Sequence, residues 1–269
     1  MKKEGILDKI ILVGSWCILL YEDYFKGKGI LPAIRTRDLE FLIPIPPDLD
    51  RKTNLYELLK DLGFVLDYKG EQGCITFQHP DLILEFLVPA RGKESDKPYP
   101  IDQLGINAQA LRFMDFLAQD PIQMVFHDIK VTLPHPANFA LQKLLIAERR
   151  KQKDKAEKDR IQAVAVLTAL DASAEFTTVC ALYHAMPKKL FTHDFISVVG
   201  DDDPPFLEEN CIFHSWRVAV LQDEPSLRPE PQGEGRVNPQ RPLGFFDSLV
   251  RQHKRTRGNA HEGCDYLPL

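Results

Sequence analysis

No two of the five cysteines (Cys17, Cys74, Cys180, Cys211, Cys264) form a C-x-x-C pair; they are scattered along 269 residues. That argues against a zinc site and against a disulfide scaffold, and it fits a reducing cytosol. Long apolar runs are also missing. Ile10–Tyr21 is interrupted by Gly14-Ser15 and falls well short of the roughly 20 residues that span a bilayer. Glu4, Asp8 and Lys9 stand where the apolar part of a secretory signal would begin, and no A-x-A-like cleavage site follows Leu20. A cytoplasmic protein with no membrane partner is therefore expected. Nor is there a strong charge of one sign. The formal net charge of −5 exerts no global pull on nucleic acid or anionic lipid, so any such contact must come from a local patch. Internal repeats are absent as well.

What remains is a chain with 44% apolar and 27% charged residues, enough to bury one large core or two small ones. Lys9–Val13 suits a buried strand and Trp16–Phe25 recurs at helical spacing, so Gly14-Ser15 sits on a strand-to-helix turn. Gly27 and Gly29 close that helix. Asp38–Ile43 reads as the next strand, stopped by Pro44, and Asn54–Leu62 as a helix ending at Gly63. Phe64–Tyr68, Cys74–Gln78 and Leu82–Val88 read as strands, with turns at residues 69–73 and 79–81. A polar loop is expected over Arg91–Pro100 and a hairpin of Met124–Phe126 and Lys130–Leu133 around His127-Asp128, while Ala108–Ala118 is ambiguous between strand and helix and is read as helix. Beyond Pro136, the spacing predicts helices over Asn138–Arg150, Lys155–Leu170 and Ala174–Met186. From about Leu221 the composition predicts a flexible tail with one short helix at Phe245–Arg255. The expected organisation is a domain over 1–136, a helical region over 137–220 and the tail over 221–269.

The chemistry concentrates at three places. A helix N-terminus attracts anions, glycine lets backbone amides approach a ligand, and the Ser15 hydroxyl can cap the helix or donate to a phosphate. Asp38 and Glu40 alternate on one strand, so their carboxylates share a face while Leu39 and Phe41 point elsewhere. Glu85 sits in the centre of "LILEFLV", a strand otherwise wholly apolar. A buried carboxylate needs a cation, either a metal or a core salt bridge to Arg37. His79 and His127 sit at expected hairpin turns, and His184, His193 and His214 show no metal-ligand spacing. "GDDDPP" (200–205) reads as an acidic loop.

Taken together, "LVGSW", "RTRDLEFLIP", "LEFLVP" and "LPHPANFALQKLLIAERRKQKDKAEKD" resemble the polymerase β-type nucleotidyltransferase superfamily, most closely its small bacterial members, over residues 10 to about 170. The resemblance implies an α+β fold, a nucleotidyltransferase-like mixed sheet with flanking helices followed by a helical region. It implies that Gly14 and Ser15 hold the phosphates of a nucleoside triphosphate. Asp38, Glu40 and Glu85 would bind two Mg²⁺ ions, Glu85 also serving as or beside the general base. Lys143, set among Phe139, Leu141, Leu144 and Leu145, would face the phosphates. The other charges of 150–159 are expected to form a solvated helix face. The superfamily usually carries Asp where this chain has Glu40 and Glu85, and a helix before the Gly-Ser strand that is here short or missing. Two functions follow: transfer of a nucleotide, AMP foremost, to a hydroxyl on a small molecule, a tRNA end or a protein; or a catalytically weak nucleotide-binding regulator, such as a toxin–antitoxin component with a protein partner.

Overall fold

A computed structural model describes residues 1–28, 36–49, 51–69, 73–90 and 98–186. Gly29, the turn residues 70–72, the loop 91–97, the part of the helical region beyond 186, and the tail with its short helix lie outside the described residues.

Three buried residues, Ile11–Val13, form β1, and Gly14 turns the chain at φ +74° into α1, Trp16–Tyr24. Strand β2 (Asp38–Leu42) follows, then α2 (Leu55–Leu59), which Asn54 caps by accepting from the amides of Tyr56 and Glu57. A single 3₁₀ turn, Lys60–Leu62, ends at Gly63, whose φ of +85° suits glycine best. Strands β3 (Val65–Lys69), β4 (Cys74–Gln78) and β5 (Ile83–Pro89) come next, then β6 (Tyr99–Ile101) and β7 (Ile106–Leu111). The short helix α3 is Met114–Leu117. Hairpin β8–β9 (Ile122–Phe126, Ile129–Leu133) turns at His127 and Asp128, both with positive φ, as a two-residue hairpin loop requires. Helices α4 (Pro136–Ala147), α5 (Lys153–Ala172) and α6 (Phe176–Ala185) complete the order. None of the helices among the described residues is long and apolar enough to cross a membrane.

The sheet is mixed, with β1-β2-β5-β4-β3 in sequence across it, β7 beside β5 and β6 beside β7. β1 runs antiparallel to β2, and β2 runs parallel to β5. β5 is the hinge of the arrangement: its first half pairs with β4 and its last three residues pair with β7. This overturns the helix expected over Ala108–Ala118. Most of that stretch lies in β7 and α3, because an alanine-rich segment that reads as helix locally gains more by pairing with β5 and β6.

Each face of the sheet has its own core. Leu12, Leu39, Phe41, Phe77, Leu84 and Phe86 project to the main core, shared with α1, α2, α4, α5 and α6. The opposite face carries a smaller cluster, in which Ile11, Val13, Leu42 and Leu87 pack under Met114 and Leu117 of α3. Tyr21 ties α1 to the end of the hairpin: its buried hydroxyl donates to the Pro134 carbonyl at 2.9 Å, and its ring meets Phe139 of α4 edge-on at 5.4 Å. Tyr21→Phe keeps the ring but strands that carbonyl. Urea denaturation is expected to show a loss of about 1–3 kcal/mol; an unchanged midpoint would mean that the bond contributes nothing net.

Candidate active site

The floor of the site follows from strand register. In the parallel β2–β5 pair Glu40 lies directly opposite Glu85, and Asp38 lies opposite Ile83. Alternation puts Asp38, Glu40 and Glu85 on one face, the face of the small cluster. On β1, Val13 pairs with Glu40, so the Gly14-Ser15 turn begins beside the carboxylates. All three carboxylates, Gly14 and Ser15 line one open cavity of about 1060 Å³.

Two adjacent carboxylates in partial burial repel each other and lose hydration. Burial raises the Glu40 pKa, with repulsion from Glu85 and Asp38 adding to it, while Lys143 and Arg150 pull the other way. Glu85 has a direct partner: the Lys69 ammonium donates to its Oε1 at 2.7 Å. Burial lowers the Lys69 pKa, but the hydrogen bond and charge of Glu85, with Asp38 and Glu40 behind, outweigh it and leave it raised. Gly14 meets a second demand. A Cβ at position 14 would stand 1.8 Å from Glu40 Oε2, so the glycine both takes the left-handed turn and leaves room for that carboxylate.

The wall comes from α4 and α5. Lys143 and Asp159 are both buried, and the ammonium donates to Asp159 Oδ1 at 2.6 Å. Arg150 Nε donates to the other oxygen at 2.9 Å. Lys143 also lies 5.5 Å from the centre of the Phe139 ring. Lys151, Lys155 and Lys158 line the same cavity. The Lys158 pKa is lowered, first by burial and then by the charge of Lys143. At another part of the lining, Arg149 stacks 5.1 Å from the ring of Phe113. Ser15 accepts a hydrogen bond from Gln162 Nε2 at 3.0 Å and makes no side-chain cap to α1.

All six residues singled out from sequence (Gly14, Ser15, Asp38, Glu40, Glu85 and Lys143) border this cavity. Three readings change. The partner of Glu85 is Lys69 of β3, not Arg37, which donates to the His79 carbonyl instead. Ser15 does not cap its helix. The charges of 150–159 do not simply form a solvated face, since Arg150, Lys155, Lys158 and Asp159 line the cavity. Lys69, Arg150 and Asp159 were missed as site residues. The available signal was the spacing of Lys143 and Asp159, 16 residues apart on two amphipathic helices, which puts an unlike pair in reach when the helices pack side by side. As donors, three hard carboxylates suit a divalent cation such as Mg²⁺. Among the described residues, however, no group of three His, Cys, Asp or Glu stands arranged to hold a metal ion, and an ammonium sits on Glu85. The donor types fit, and loading requires Glu85 to exchange Lys69 for the ion.

Residues 1–186 match a family described as Nucleotidyltransferase. No curated protein sequence matches the chain. Among solved structures, the antibiotic-resistance factor ANT(2'')-Ia in solution is 15% identical, with 65% of this chain and 84% of that chain covered at a TM-score of 0.33. The crystal structure of ANT(2'')-Ia with adenylyl-2''-tobramycin is 11% identical, with 68% and 99% covered at 0.34. An antigenic nucleotidyltransferase-like protein from Paracoccidioides brasiliensis is 14% identical, with 71% and 92% covered at 0.34.

The raised pKa of Glu40 has a measurable sign. The folded chain binds this proton more tightly than the unfolded one, so the linked stability is full below the ordinary glutamate value and is lost as pH rises through the raised one. In chelator, Glu40→Gln is expected to melt higher than wild type at neutral pH. The gap should close as pH falls below about 4. A gap that stays constant with pH would assign it to the new hydrogen bonds of the amide and not to the charge of Glu40.

Proposed function

We propose, because this chain belongs to the nucleotidyltransferase family, that it transfers a nucleoside monophosphate, AMP foremost, from a nucleoside triphosphate to a hydroxyl acceptor with the help of two Mg²⁺ ions. The observation that carries this reading is the single sheet face on which Glu40 and Glu85 stand opposite each other beside the Gly14-Ser15 turn. Asp38, Glu40 and Glu85 would hold the divalent cations, which would supply charge neutralisation to the triphosphate.

The chain's own groups do the rest. Ser15 accepts from Gln162 and keeps its hydroxyl proton for a phosphate oxygen. Lys143 spends one N–H on Asp159, and its remaining protons serve the phosphates as a charge-assisted clamp. Asp159 and Phe139 fix the direction of that ammonium. The acceptor oxygen bonds the α-phosphorus as the bond from that phosphorus to the pyrophosphate oxygen breaks. Glu85, released from Lys69, takes the hydroxyl proton. Positioning and electrostatics supply most of the rate, as is general for phosphoryl transfer.

A second reading, a nucleotide-binding regulator with little catalysis, draws on the Lys69–Glu85 pair at 2.7 Å, which neutralises the carboxylate without a metal. Labelled triphosphates, Mg²⁺ and a cell extract separate the two, since only the transferase labels an acceptor. Asp38→Asn is expected to abolish labelling, a loss of about 10³-fold or more, while melting no lower than wild type in chelator. On adding Mg²⁺ and triphosphate the variant should gain less in melting temperature than wild type does. A wild type that neither labels anything nor gains stability would rule out both readings; stabilisation without labelling would favour the regulator.

A further inference from the structure

The cavity holds more positive charge than the proposed triphosphate site uses. Eight lysines and arginines line it against four carboxylates among the described residues, in a chain whose overall charge is −5. Asp159 occupies Lys143 and Arg150, and Glu85 occupies Lys69. Lys151, Lys155 and Lys158 make no side-chain hydrogen bond or ion pair among the described residues. Lys155 and Lys158, three residues apart, lie on the first two turns of α5, and Lys151 stands just before its N-cap, Gln152. A triphosphate carrying divalent cation offsets only part of this excess, so the rest faces whatever else enters.

A second feature lies in the same lining. Phe113 has a φ of +64°, a backbone region that bulky residues rarely adopt and that costs of order 1–3 kcal/mol. That conformation brings an aromatic ring to the cavity, stacked on the guanidinium of Arg149. A file of unpaired ammonium groups together with an aromatic platform is the arrangement that takes a single strand, phosphates along the cations and bases on the ring. A polycationic amino sugar would meet like charge in the same place.

We infer, resting on the transferase reading above, that the acceptor is the 3′-hydroxyl end of a single-stranded nucleic acid, its phosphates along Lys151, Lys155 and Lys158 and a terminal base on Phe113. The end hydroxyl is then the oxygen that bonds the α-phosphorus, pyrophosphate leaves, and the strand grows by one nucleotide.

The test uses the full chain, a fluorescent single-stranded RNA oligonucleotide, a DNA oligonucleotide of the same sequence, and a non-hydrolysable ATP analogue. Polarisation should show strand binding that weakens about 20-fold for a fourfold rise in salt, the slope of three phosphate contacts. Lys151→Glu with Lys155→Glu should flatten that slope by about 1.4 and leave analogue affinity unchanged. Phe113→Leu should weaken strand binding about tenfold, with Phe113→Tyr restoring it. With labelled ATP, the strand should lengthen unless its 3′ end is blocked. Four results would overturn the inference: analogue binding without strand binding, loss of analogue affinity in the lysine variant, labelling of an amino sugar, or labelling of a protein from extract. The transferase reading survives the first, third and fourth. Failure to bind the analogue at all would sink both.

Discussion

Two carboxylates placed side by side on parallel strands and partly withdrawn from water set the terms for everything around them. The Glu40–Glu85 pairing is a matter of register, and register cannot slip by one residue without turning the apolar face of β2 and β5 to the wrong side. The rest of the site answers that fixed charge. Lys69 reaches from β3 to Glu85, Lys143 and Arg150 bias Glu40 from above, and Asp159 keeps those two cations in place. Gly14 supplies the space that the Glu40 carboxylate fills.

Asp159 carries an unusual burden. It is buried and bound by two cations, and removing one member of such a pair costs more than the pair itself contributes. The pair is therefore better understood as a device of direction than of stability. It holds Lys143 over the carboxylate floor and leaves part of its proton set unspent. The same helix gives Gln162 to Ser15, so α5 organises both the turn and the wall from one rigid element.

Much of this is legible in the sequence. The strand, Gly-Ser turn and helix, the paired carboxylates and the third on its own strand all follow from local periodicity, and the structure brings them to one cavity. What stayed hidden was non-local. Lys69 ends β3, three strands across the sheet from the Asp38–Glu40 pair, and only the β3–β4–β5 register brings it to Glu85. Charges on an amphipathic helix announce that they avoid the core, but not whether they meet solvent or a cavity; Lys155 and Lys158 do the latter. Strand β7 was misread because alanine and leucine favour a helix only until a sheet edge offers its ladder.

The contact between Gly14 and Glu40 also constrains how this chain could diverge. Any side chain at position 14 would collide with the longer carboxylate, and a positive φ stands against it independently. Shortening position 40 first would clear the space and move the oxygens back, so that only the backbone term remained to be overcome. The order of substitution therefore matters: the same two changes form a passable route in one sequence and a barrier in the other. Descendants of this sequence inherit the two sites as a linked pair, with the history of one written into what the other can become.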